Sequence, residues 1–234
     1  MKRLIILHII PAVLIAVMPL LCSRGLAGQP ARCPSTNVLV YAEELHDIRF
    51  ACKATMETLA FLKNAGLDVQ DTFNIFLTDG FDGLQHQKLY LGIYDHRLRE
   101  IRVLSYAHCQ RLYSGECFCG LKLSRELHTS FIVHEVTHAL TIDLLDKNRG
   151  RIAASEYIAY TTQFSLMPGS LRNKILKEIN NEGFTSEVEI TSLFHDLNPS
   201  VFAVKAYRHF IRPENGKRFY NKLISKRFIL DPGE

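Results

Sequence analysis

The sequence predicts an α+β fold: a small β-sheet with one long helix in the amino-terminal lobe, then an all-helical carboxyl-terminal lobe. Three observations carry this. Between residues 37 and 106, short runs of alternating hydrophobicity recur with turn residues between them. One segment among them, 42–64, holds its apolar residues at helical spacing instead. From Ser124 onward the apolar pattern is helical throughout.

The first residues stand apart from this pattern. Lys2 and Arg3 precede an apolar run over residues 4–21, broken by His8, Pro11 and Pro19, and the small residues Gly25 and Ala27 follow. That order of charge, apolar run and small residues predicts a secretory signal cleaved near Ala27. A retained anchor is the weaker reading, because spanning a bilayer takes about 20 apolar residues and this run is shorter and proline-broken. The expected organisation is therefore a signal peptide over residues 1–27 and a single domain over 28–234. That domain divides into a mixed lobe (28–123) and a motif helix with its helical lobe (124–234). The expected location is secreted or periplasmic, with no stable membrane anchor after cleavage. Losing Lys2, Arg3 and Arg24 leaves basic and acidic side chains nearly balanced, so charge makes no case for a nucleic-acid partner.

Within the domain, residues 37–41 read as a strand. The helix over 42–64 carries Leu45, Ile48, Cys52, Met56, Leu59 and Leu62, and Ala65 and Gly66 close it. Residues 72–77, 89–94 and 98–106 read as strands, separated by turns at Thr78-Asp79-Gly80, Asp82-Gly83 and Asp95-His96. This makes about four strands in all. Residues 115–120 form a cysteine-bearing loop. Ser124 caps a helix over 125–147 that Gly150 is placed to end. Further helices are expected over 151–167, stopped by Pro168, and over 171–180. Ser186 to Glu189 is a capping box opening a helix to residue 196. Helices over 199–211 and 213–227 complete the chain.

Export changes the meaning of the cysteines, since thiols outside the cytosol tend to pair. Cleavage removes Cys22 and leaves Cys33, Cys52, Cys109, Cys117 and Cys119. A Cys33–Cys52 bond would tie the amino terminus to the first helix. Cys109 with Cys117 or Cys119 would close a short loop, leaving one thiol over. A zinc knuckle from the last three lacks the paired C-x-x-C spacing.

The informative stretch is His134-Glu135-Val136-Thr137-His138, a His-Glu-x-x-His pattern. Residues four apart share one helix face, so His134 and His138 can hold one zinc ion. Glu135 is rotated off that face and can approach a water without ligating the metal. Ile132, Val133, Val136, Ala139, Leu140 and Ile142 make the helix apolar nearly all round, which predicts burial. Two core histidines bonded to backbone would be the bland alternative, and a third ligand decides between them. The His-x-x-Gly-x-x-His extension fails, because Thr141 and Leu144 occupy its glycine and histidine positions. Asp143 and Asp146 lie more than a turn beyond His138. Glu156, on the next helix in Ser155-Glu156-Tyr157-Ile158-Ala159-Tyr160, is the only acid between Asp146 and Glu178 and has mostly apolar neighbours. A carboxylate in an apolar helix is costly unless it is paired or metal-bound.

This arrangement resembles the gluzincin metallopeptidases. The segment from Ser155 to Tyr160 is similar to the Glu-Gly-x-Ala-x-Tyr stretch that carries the third ligand in aminopeptidase-like members, with Tyr157 in place of the glycine. The match covers residues 126–163, and residues 207–219 resemble a downstream tyrosine-bearing helix. The resemblance implies a zincin fold, with a twisted sheet above the motif helix and a helical lobe below the cleft. It implies one Zn2+ per chain on His134, His138 and Glu156, a peptide or protein substrate, and Tyr207 as the favoured catalytic oxyanion donor. His209 and His195 are alternative donors, and Tyr157 and Tyr160 can also reach the cleft. Motifs that bind a substrate amino terminus are not visible. Glu135 would serve as general base, and Asp143 and Asp146 are weak candidates to orient the zinc histidines. Two rival readings remain open: an inactive zincin-fold binding protein, and a disulfide-stapled structural protein whose motif is accidental.

Overall fold

Alternation of buried and exposed side chains builds one mixed sheet from five strands. In the computed structural model, which describes residues 30–80, 91–113, 115–145, 150–225 and 230, these are β1 (Ala31–Arg32), β2 (Leu39–Tyr41), β3 (Asn74–Thr78), β4 (Gly92–Asp95) and β5 (Glu100–Leu104). The expected signal peptide, the turn at Asp82-Gly83, Asp146, and parts of the strand over 89–94 and the last helix lie outside the described residues. The strand order is β1-β2-β3-β5-β4. The neighbours β2, β3 and β5 run parallel, while β1 and β4 are antiparallel flanks. Parallel neighbours need a long crossover. Helix α1 (Leu45–Asn64) supplies it between β2 and β3. A tight turn joins β4 to β5. There the Asp95 carboxylate accepts from the backbone N–H of Arg97 (2.8 Å) and Leu98 (3.1 Å).

Val40, Ile75, Ile101 and Val103 are fully buried on the inner sheet face. They share a core with Ala51, Leu59 and Leu62 of α1 and with α3 (Arg125–Thr141). Ser124 caps α3 through the Leu127 N–H, as expected, and α3 is buried on nearly all sides. Arg125 pairs with the buried Asp47 of α1 and lies 3.7 Å over the Tyr106 ring, which anchors the start of the motif helix.

Several expectations are corrected. Before α3, Ser105 caps an unforeseen short helix, α2 (Tyr106–Leu112). The cysteine-bearing loop is a hairpin, β6 (Glu116–Phe118) and β7 (Leu121–Lys122). Cys119 and Gly120 both hold positive φ, 52° and 72°, as a two-residue hairpin turn requires. The Cys33–Cys52 disulfide is formed, but Cys109, Cys117 and Cys119 are free thiols. Cys109 donates to the Leu104 carbonyl (3.7 Å) and Cys119 is hydrogen-bonded to Ser200, so these two thiols point to other partners. Burial pushes both up to about 12.

The motif helix ends at Thr141 in a 3-10 turn, Ile142–Leu144, instead of running to residue 147. Gly150 does not close it. It precedes α4 (Arg151–Leu166) in a left-handed conformation (φ 62°), and a Cβ there would run into the Leu230 carbonyl. The helical lobe continues with α5 (Gly169–Glu178), α6 (Ser192–Leu197), α7 (Pro199–Phe210) and α8 (Gly216–Ile224). The Ser186–Glu189 capping box is present but opens only a 3-10 turn, and Thr191 caps α6 separately. No described helix is long and apolar enough to cross a membrane.

Candidate metal centre

Helical spacing brings His134 and His138 to one face of α3, and the antiparallel return through α4 sets Glu156 opposite them. One ligand atom from each of the three falls within 4.8 Å of the others. Glu156 Oε2 lies 3.3 Å from His134 Nε2, and Oε1 lies 3.4 Å from His138 Nε2. The outer nitrogens are held as well. His134 Nδ1 lies 3.1 Å from Gln163 Oε1, and His138 Nδ1 lies 2.7 Å from Ser155 Oγ. Burial alone would raise the Glu156 carboxyl, but His138 and His134 beside it outweigh that and hold it well below the usual range. Two imidazole Nε2 atoms and a carboxylate converging in a largely buried space make a donor set that suits a divalent cation such as zinc.

Glu135 lies beside this group and reaches up to the sheet. Its carboxylate accepts from the Tyr94 backbone N–H of β4, and its Cγ lies where a Cβ on Gly92 would come within 2.8 Å. Burial pushes the Glu135 carboxyl up to about 7, with Glu156 adding to the effect and His134 opposing it. Tyr160, one turn beyond Glu156, packs edge-on to His134 with ring centroids 4.5 Å apart. His195 of α6 completes the wall: its Nε2 lies 3.4 Å from Glu156 Oε2 and 3.5 Å from the Tyr160 hydroxyl.

The other candidates sit elsewhere. Tyr207 is buried on α7 between the Phe164 ring (5.4 Å) and the Arg172 guanidinium (5.7 Å), and no described contact joins it to the metal-ligating group. His209 lies 2.7 Å from the Tyr157 hydroxyl in a separate buried cluster with Phe219. Asp143 is occupied by His96 (3.2 Å) and Arg99 (3.0 Å), so the histidine-orienting role expected of carboxylates falls to Gln163 and Ser155. Sequence reasoning did not single out these two, nor Gly92. The only available signal was that both are polar positions on a largely apolar helix, Ser155 directly before Glu156 and Gln163 two helical turns after it.

No curated protein and no solved structure matches the chain. Residues 38–233, which include the whole candidate centre, match the model of a family of unknown function, DUF6639, and the chain belongs to that family.

Proposed function

We propose that the chain is a zinc-dependent peptidase of zincin-like architecture, exported from the cytosol. The observation that carries the reading is the grouping of His134, His138 and Glu156 within 4.8 Å, with Glu135 beside them under the sheet. The Cys33–Cys52 bond supports an oxidising compartment. A zinc ion on the three ligands would lower the pKa of a water and polarise a carbonyl.

The chain's own residues supply the rest. Glu135 takes the proton of the attacking water on its carboxylate and delivers it to the departing amine nitrogen. His195 Nε2 and the Tyr160 hydroxyl border the ligand group and would serve as donors to the developing oxyanion. Their proximity to Glu156 favours them over Tyr207 in that role. A peptide substrate is favoured by β4, an edge among the described strands. The Leu104 N–H donates to the Leu91 carbonyl, so alternation along the ladder turns the backbone groups of Gly92 and Tyr94 outward. Tyr94 spends its N–H on Glu135, while Gly92 can pair with an extended chain.

A second reading makes His195 a fourth ligand, closing the centre and leaving no position for water. One experiment separates these: zinc stoichiometry and hydrolysis of a broad peptide pool, measured on wild type, Glu135→Gln, His134→Ala and His195→Ala. We expect Glu135→Gln to keep zinc and lose about 10²–10⁴-fold in rate. His134→Ala should lose both. His195→Ala should keep zinc and lose roughly 10²–10³-fold in rate. Wild-type turnover in Glu135→Gln would sink the mechanism, and zinc loss in His195→Ala would favour the closed centre.

A further inference from the structure

We propose that Gln163 is a positioning residue that fixes which nitrogen of His134 carries the proton, through a hydrogen-bond chain whose direction is set by the backbone of α3. The inference rests on the reading of His134 as a metal ligand.

The chain begins at the Leu127 carbonyl, which can only accept. Ser130 Oγ lies 2.7 Å from it and donates its single proton there. That leaves Ser130 Oγ as an acceptor for the Gln163 side-chain amide, 3.0 Å away. With its NH2 so engaged, Gln163 turns its carbonyl oxygen toward His134 Nδ1 at 3.1 Å. An amide oxygen accepts only, so His134 carries a proton on Nδ1, and when the ring is neutral its lone pair lies on Nε2, the nitrogen that faces Glu156. Gln163 and Ser130 are both nearly fully buried, so water does not compete for these bonds.

His138 is treated differently. Its Nδ1 meets Ser155 Oγ at 2.7 Å, and a hydroxyl can donate or accept by rotating. The hydroxyl therefore leaves the His138 tautomer to its other neighbours, among them His134 Nε2, 3.0 Å from His138 Nε2, whereas the amide oxygen of Gln163 acts on His134 directly. Neither partner is a carboxylate, so both histidines are oriented without adding negative charge behind the metal ligands.

The test uses the full chain and zinc as the probe. Zinc affinity is measured by chelator competition, and the His134 tautomer is read from imidazole nitrogen shifts in the metal-free protein at a pH where His134 is neutral. Gln163→Leu fills similar space without an acceptor. It should weaken zinc binding about 10–100-fold and release His134 into a mixture of tautomers. Gln163→Glu keeps an oxygen acceptor in place and should restore both the Nδ1–H tautomer and zinc affinity to within a few-fold of wild type. A pure packing role predicts the reverse order, with Leu near wild type and Glu defective, and that result overturns the proposal. Should Gln163→Leu fail to fold, Ser130→Ala decides: a mixed His134 tautomer supports the chain, and a tautomer unchanged from wild type refutes it. Wild-type protein that takes up no zinc would instead sink the reading of the centre itself. Tight wild-type binding with an unaffected Gln163→Leu would sink only the role of Gln163.

Discussion

Position 92 shows how much one missing side chain can matter. A Cβ there would stand 2.8 Å from Glu135 Cγ and 3.1 Å from its Oε1. Gly92→Ala must therefore displace the Glu135 carboxylate or lift β4 off the motif helix. Misplacing a reacting group by about 1 Å can cost 10²-fold in rate. We expect kcat/KM to fall roughly 10–100-fold with zinc affinity unchanged, as read by peptide hydrolysis and chelator competition. An unimpaired Gly92→Ala protein would remove Glu135 from its assigned place. At this scale the grouping of His134, His138 and Glu156 was readable in the sequence, because four-residue spacing and an isolated acid in an apolar helix are local signals. Gly92 and Gln163 were not, since each matters through a residue more than 25 positions away. Tyr207 was favoured by resemblance over His195, and only the packing of α6 against α4 shows that His195 reaches Glu156.

Among the elements, the 3-10 turn at Glu187–Glu189 has a measurable signature. Glu189 accepts from the Thr185 hydroxyl, from the backbone N–H of Thr185 and Ser186 (both 3.1 Å), and from Lys205 Nζ (2.9 Å). The Thr185 hydroxyl first, and Lys205 next, pull its carboxyl from 4.5 down to about 2. A carboxyl depressed by folding stabilises the fold above its unfolded value, and that stabilisation is lost as pH falls through the folded one. Glu189→Gln should therefore cost roughly 1 kcal/mol, about 2–4 °C in Tm, near neutral pH. The gap from wild type should close between pH 4.5 and about 2, as followed by thermal melts across that range. A gap that persists at pH 2 would assign the effect to packing. The capping box itself was legible, but the helix it opens was overestimated, because Ile190 and Thr191 break the run before α6 begins. Long elements with many periodic residues, α1 and α4, were read correctly to within a few residues, and so was the start of α3, whose end at Thr141 falls well short of residue 147. The β6–β7 hairpin escaped because Cys119-Gly120 supplies the two positive φ values without the usual Asn-Gly signature.

Across the whole molecule, a disulfide cross-link is formed, and the proposed function adds a second cross-link in a different place. Cys33–Cys52 joins the chain before β2 to α1 across 19 positions, and closing a loop of that size is worth roughly 3 kcal/mol. The ligands His138 and Glu156 join α3 to α4, so zinc should clamp that pair, by about 2.7 kcal/mol when free zinc is near 100 times its Kd. Perturbations at sites with no shared partners add. The Tm losses caused by Cys52→Ala and by a chelator should therefore sum in the doubly treated protein. Strong non-additivity would show that the two sites interact through α1, which packs on both ligand helices. The change from mixed strands and helices to helices alone was legible because the hydrophobic period changes at Ser124. The strand order was not, since parallel pairing of β2, β3 and β5 depends on contacts that no local pattern encodes. The contact between Gly150 and the Leu230 carbonyl has a mechanical side. Leu230 backs directly onto Gly150 at the start of α4, the helix that presents Glu156. A change that drew Leu230 away would leave every candidate ligand in place and still loosen the start of α4, so a residue far from the centre in sequence would govern how firmly Glu156 is presented.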